Sequence, residues 1–158
     1  MRQTLAGDCD TAQRRPGRPL PGGPVLRWRG SMKSVALVFL GGGIGASLRH
    51  LLGGAVQALA RSATFPWGTF AINVTGCFVI GLLAQLSETR GVPSGHARTF
   101  VFVGVLGGYT TFSSFGNETI NLLRGGEALA AAANAGGQLV LGLLAVAAGR
   151  AAAQLLWR

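Results

Sequence analysis

The side chains with most chemical capacity lie at Asn73, at Thr110–Ser114 and at Glu118, inside stretches that are otherwise apolar. Thr69, Asn73 and Gly76 stand at i, i+4 and i+7, so they share one helix face. The Asn73 amide has two N–H donors, which suit an anion or a neighbouring helix. Both readings stay open at this point. Further along, Gly107-Gly108-Tyr109-Thr110-Thr111-Phe112-Ser113-Ser114-Phe115 places paired glycines before a hydroxyl-rich run. That order predicts a helix break at the glycines. Freed carbonyls are tolerated at membrane depth only where they are buried or line a cavity. Such carbonyls can face a cation. Phe112 and Phe115 are three residues apart and project from the same face of the half-helix beyond. An aromatic ring has a positive edge, so two such edges could line an anion path without a fixed charge to trap the ion. Plain packing is the alternative use of both rings. Glu118 either snorkels to an interface or stands at a pore mouth.

Acid–base and metal chemistry are poorly provided for. The chain has 5 Asp+Glu, 2 His and 2 Cys. Cys9 and Cys77 can build neither a disulfide framework nor a zinc site. His50 and His96 are distant in sequence and have no nucleophile or carboxylate beside them, so an enzyme is not expected. His96 reads as a solvated loop residue. Gly41, Gly43 and Ala46 form a GxGxxA after an apolar run, but a dinucleotide fold needs an acid ~20 residues later. None occurs between Asp10 and Glu88.

The elements that must position these residues are apolar and long. Of the 158 residues, 49% are hydrophobic and 12% are charged, and the net charge is +9. Mean hydropathy is +0.42. Four apolar segments run from about Val35 to Leu59, Trp67 to Leu86, Thr99 to Leu123 and Leu129 to Leu156. Each is long enough to cross ~30 Å of hydrocarbon as a helix. Pro66 stands just before the second, where a helix start tolerates it. The expected fold class is therefore an all-α membrane protein. Gly41–Gly45 and Gly104–Gly108 have the spacing that lets apolar helices approach closely, and this packing use is their simplest reading.

Residues 1–31 differ in kind. They hold Arg2, Arg14, Arg15, Arg18, Arg27 and Arg29 among prolines and lack a hydrophobic period. They are expected to be a disordered basic tail or a mis-called start before Met32. A nucleic-acid-binding arm would need a basic patch on a folded surface, so no nucleic-acid partner is expected. Lys33, Arg90, Arg98, Arg150 and Arg158 fall on one side of a four-crossing arrangement, and Arg61 and Arg124 on the other. That bias puts both termini in the cytoplasm, yet it is slim enough without the tail for both orientations.

From Met32 onward the chain resembles the CrcB/Fluc family of fluoride channels. The blocks that carry the resemblance are GGGIGASLRH at 41–50, GTFAINVTGCFVIG at 68–81, GGYTTFSSFGNET at 107–119 and a Gly- and Ala-rich last helix. The resemblance implies four transmembrane helices per subunit with the third broken. It implies an antiparallel, dual-topology homodimer in a prokaryotic plasma membrane, exporting fluoride passively and conferring fluoride resistance. It also implies a structural sodium ion at the dimer centre, held by the backbone carbonyls of Gly107 and Thr110. Asn73 then matches the pore asparagine, and Phe112 and Phe115 the paired aromatics. Ser114 and Thr111 match hydroxyl positions on the fluoride pathway. Glu118 matches an acid near that pathway, and Arg49 an arginine near its vestibule.

The chain departs from the family in its fourth span. Asn134 and Gln138 stand where a hydroxyl track, often Tyr and Ser, is usual; an amide can still donate hydrogen bonds. Fluoride is small and strongly hydrated, so a pore must replace its water with donors that do not bind it deeply. The spans place no Lys or Arg at mid-pore. Two rivals fit less well. A small four-span multidrug-type transporter needs an acid in an early span, and the first two spans have none. A structural membrane protein would need the glycines but not Asn73, the break and the Phe pair together.

Overall fold

The computed structural model describes residues 32–157, and these are helical with short connectors. The basic segment 1–31 and Arg158 lie outside the described residues. In chain order the elements are α1 (Met32–Ala60), α2 (Trp67–Arg90), α3 (Gly95–Arg98), a π-helical stretch (Thr99–Leu106), α4 (Gly107–Tyr109), α5 (Phe112–Arg124) and α6 (Ala128–Leu156). Three of them, α1, α2 and α6, are each long and apolar enough to cross a membrane. The remaining expected apolar segment is divided between the π-helical stretch, α4 and α5. The helix start after Pro66 is as expected. Gly91 ends α2 at φ 68°, and its N–H donates to the Ser87 carbonyl at 3.1 Å. A left-handed glycine closing a helix this way satisfies a carbonyl that the helix would otherwise leave open.

Glycine decides which helices touch. α1 packs on the π-helical stretch and α4, and α2 packs on α6. A Cβ at Gly41 would stand 2.7 Å from the Phe100 carbonyl oxygen and 3.0 Å from the Gly104 Cα. One at Gly45 would collide with the Val105 carbonyl, and one at Gly108 with the Gly42 backbone. The two spaced glycine pairs therefore face each other, which is the packing use their spacing suggested. The α2–α6 seam repeats the device: Gly81 lies on the Val146 backbone and Gly149 on the Phe78 backbone.

The break is not where the glycines predicted it. Gly107 is helical, at φ −63° and ψ −35°. Gly107, Gly108 and Tyr109 together form α4. The chain instead extends at Thr110 (φ −84°, ψ 159°) and Thr111 (φ −150°, ψ 114°). The physical reason is that Gly108 is needed for close approach to α1, a task that suits a helical backbone. Thr110 and Thr111 are β-branched and accept extended dihedrals at little cost.

At one end of the bundle, Arg150 and Glu88 form an ion pair at 2.8 Å. Nearby Arg90 donates to the Trp157 carbonyl at 2.7 Å. Arg98 lies over the Phe102 ring, 5.4 Å from its centroid.

Candidate functional site

The site is the Thr110–Thr111 break and the side chains that hold it. Thr111 is the N-cap of α5, and its hydroxyl accepts from the Ser114 N–H at 3.3 Å. The same hydroxyl donates to the Ser114 hydroxyl at 3.0 Å. Asn73 grips the break from α2. Its Oδ1 accepts from the Thr111 N–H at 2.9 Å, and its Nδ2 donates to the Thr111 carbonyl at 3.1 Å. The amide thus pairs with one residue's N–H and C=O as a neighbouring strand would. Its second N–H goes to Gln138 Oε1 at 2.7 Å. Of the two uses open to Asn73, the interhelical one is realised: both N–H groups are spent inside the protein. Gly76, one turn on, makes room for the Thr110 methyl, which a Cβ there would strike.

Two carbonyls are released by this arrangement. The N–H groups that would continue the helix onto the Gly107 and Thr110 oxygens are turned elsewhere. Thr111 N–H goes to Asn73, and Ser114 N–H to the Thr111 hydroxyl. Arg49 Nη1 approaches the Thr110 carbonyl at 3.4 Å.

The broken segment is a wall between two cavities. On one side lies a polar cleft of about 580 Å³, bordered by Arg49, His50, Thr69, Thr111, Ser114 and Glu118. Thr69 donates its hydroxyl proton to Glu118 Oε1 at 2.6 Å, while Glu118 Oε2 is buried without a hydrogen-bond partner. Glu118 therefore lines the cleft. Arg49 and Glu118 share the cleft without pairing with each other. On the other side is an apolar groove of about 620 Å³, bordered by Asn73, Thr110, Thr111, Phe112, Phe115 and Gln138 among others. Thr111 borders both cavities. The Phe112 and Phe115 rings stand 5.4 Å apart and tilted by 53°, as their spacing on one face predicted. Phe112 is 83% exposed.

All seven side chains singled out for a pathway thus collect around the break: Asn73, Phe112, Phe115, Ser114, Thr111, Glu118 and Arg49. The carbonyls of Gly107 and Thr110 lie at the same place. His96 is exposed on α3, away from the site.

Sequence reasoning overlooked Gln57. Its Nε2 donates to the carbonyls of Ser62 (2.7 Å) and Phe65 (3.1 Å), and its Oε1 accepts from Gly68 N–H (3.0 Å). One side chain thereby ties off the α1–α2 connection and fixes the start of α2, upstream of Thr69 and Asn73. A lone glutamine near a helix end, before a breaker-rich loop, was the only signal.

Comparison with known proteins gives a consistent picture. A family profile described as "CrcB-like protein, Camphor Resistance (CrcB)" matches residues 36–150. Among curated relatives, a Thermus thermophilus protein named "Fluoride-specific ion channel FluC" is 51% identical over 112 residues, covering 71% of this chain and 88% of that protein. A Paramagnetospirillum magneticum protein of the same name is 48% identical over 130 residues, covering 80% and 100%. "Fluoride-specific ion channel FluC 1" of Streptomyces avermitilis is 46% identical over 121 residues, covering 77% and 96%.

Proposed function

The chain belongs to the CrcB family, and we propose that it is a fluoride-specific channel. It is a multi-pass protein of the bacterial plasma membrane, and its family is one of ion channels rather than enzymes. The observation that carries the proposal is the Thr110–Thr111 break, clamped by Asn73, with a polar cleft on one side and the paired Phe112 and Phe115 rings on the other.

In this reading the fluoride pathway follows the broken segment. It runs from the Arg49–Glu118 cleft past Ser114 and Thr111, and along the positive edges of Phe112 and Phe115. Hydroxyls and ring edges replace the ion's water without a mid-path cation, which allows exit as well as entry. Asn73 contributes by shaping the wall. Export is passive, down the fluoride gradient, and lowers cytoplasmic fluoride. Expression in a fluoride-sensitive bacterium should restore growth in fluoride medium, and Asn73→Leu should not. Equal growth with and without the intact chain would count against the proposal.

The finer architecture is proposed with it. The segment from α3 to α5 acts as a fourth crossing, giving four helices with a broken third. A second, inverted copy covers the apolar groove and Phe112, forming the antiparallel homodimer. A structural sodium ion suits the released Gly107 carbonyl, since hard cations take oxygen ligands. The Thr110 carbonyl, which accepts from Arg49 at 3.4 Å, has a second lone pair to offer such an ion. A Cβ at Gly107 would meet only the Phe102 carbonyl, at 3.8 Å, so the chain itself has room there. Gly107→Ala is therefore expected to fold while weakening dimer cross-linking and sodium dependence. Wild-type values for both would remove this cation placement.

A further inference from the structure

We propose that Asn134 and Gln138 are positioning residues, links in a one-way hydrogen-bond relay that holds Phe112 and Phe115 in place. The inference rests on the channel reading above and adds to it. The relay begins at a backbone group whose polarity cannot be reversed. Thr111 N–H must donate, so it fixes Asn73 Oδ1 as an acceptor. Asn73 Nδ2 must then be the donor to Gln138 Oε1. That leaves Gln138 Nε2 to donate to Asn134 Oδ1, at 2.9 Å. Asn134 Nδ2 in turn donates to Thr119 Oγ1 at 2.9 Å, and Thr119 donates to the Phe115 carbonyl at 2.8 Å. No amide in the series can be flipped alone without setting donor against donor.

Both ends of the relay land on the first turn of α5. One grips Thr111, immediately before Phe112, and the other grips the Phe115 carbonyl. The two rings sit between the grips. The relay reaches across α2 and α6, so it sets the ring positions against both helices. Asn134 is 0% exposed. An amide so deep in an apolar helix is costly unless fully paired, and leucine would serve a plain packing role better. Its pairing is therefore its purpose.

The test uses the full chain with fluorinated phenylalanine at 112, 115 and, as a remote reference, 39. Fluorine NMR is recorded for wild type, Asn134→Leu and Thr119→Val, and fluoride efflux is measured alongside. The signals at 112 and 115 should shift and broaden in both variants while that at 39 stays fixed, and efflux should fall about tenfold, the scale of a lost buried hydrogen bond. Unchanged signals at 112 and 115 would overturn the proposal. So would equal shifts at all three sites, which would mean general loosening. If Asn134→Leu does not fold, the isosteric Thr119→Val decides. A wild type with no fluoride efflux would contradict the channel reading, while the NMR comparison would still decide the positioning role.

Discussion

The α1–α4 seam and the Thr110–Thr111 break lie beside each other and are built on opposite principles. The seam works by lacking side chains. Gly45 and Gly108 let backbone lie on backbone, Gly41 continues the contact onto the π-helical stretch, and dispersion over these close approaches holds it. The break works through polar side chains. Asn73 and Thr111 satisfy backbone groups that the helix has released, and Ser114 accepts the Thr111 hydroxyl proton. A rigid, apolar seam can fix the depth of α4, and only then can the next two residues leave the helix at a defined place. The glycines position the break without forming it.

Five substitutions and one matched control probe this contrast, in falling order of expected effect. Gly45→Ala forces a methyl into the Val105 carbonyl. Overpacking of this kind costs about 1–3 kcal/mol or more, and here no flexible side chain can yield. Loss of monodisperse protein on gel filtration is expected. Gly43→Ala is the matched control, since a Cβ there meets nothing within 4 Å. A similar loss at both sites would break the steric account of the seam.

Asn73→Leu leaves the seam intact and removes the clamp on Thr111. A buried backbone group left unpaired costs about 1–3 kcal/mol. The melting temperature should fall and fluoride flux should disappear, while α1–α4 cross-links persist. Flux at wild-type level would separate the break from the pathway. Phe112→Ile and Phe115→Ile touch neither principle. Ring pairing contributes about 0.5–1.5 kcal/mol beyond area burial, so stability should change little. Flux should drop sharply, and normal flux in both variants would remove the ring-edge path. Arg150→Gln is the mildest change. Its partner Glu88 is solvent-exposed, and such pairs contribute little. Unchanged melting and flux are expected; a large effect on either would show that the charged end governs the break after all.

Much of this was legible in the sequence, for local reasons. Apolar run lengths gave the helices, Pro66 the start of α2, and glycine spacing the seam. The block at 107–119 and Asn73 carried the family resemblance and named residues that gather at the break. What was misplaced depended on contacts far along the chain. The break moved from Gly107–Gly108 to Thr110–Thr111 because Gly108 was already committed to Gly42, 66 residues earlier, and no local preference encodes that. The same holds for the amides. Asn134 and Gln138 stand one turn apart, and that spacing was visible. Their polarity is set by a Thr111 N–H on another helix. Gln57 was overlooked because three backbone groups of a loop become its partners only once the loop is folded.

The most direct test of the central claim is ion efflux from proteoliposomes holding the purified full chain. A fluoride electrode and a chloride electrode follow the same sample, with Asn73→Leu run in parallel. The account predicts rapid fluoride loss, no chloride loss, and no fluoride loss from the variant. Equal loss of both ions from wild type, or no fluoride loss from folded protein, would contradict it.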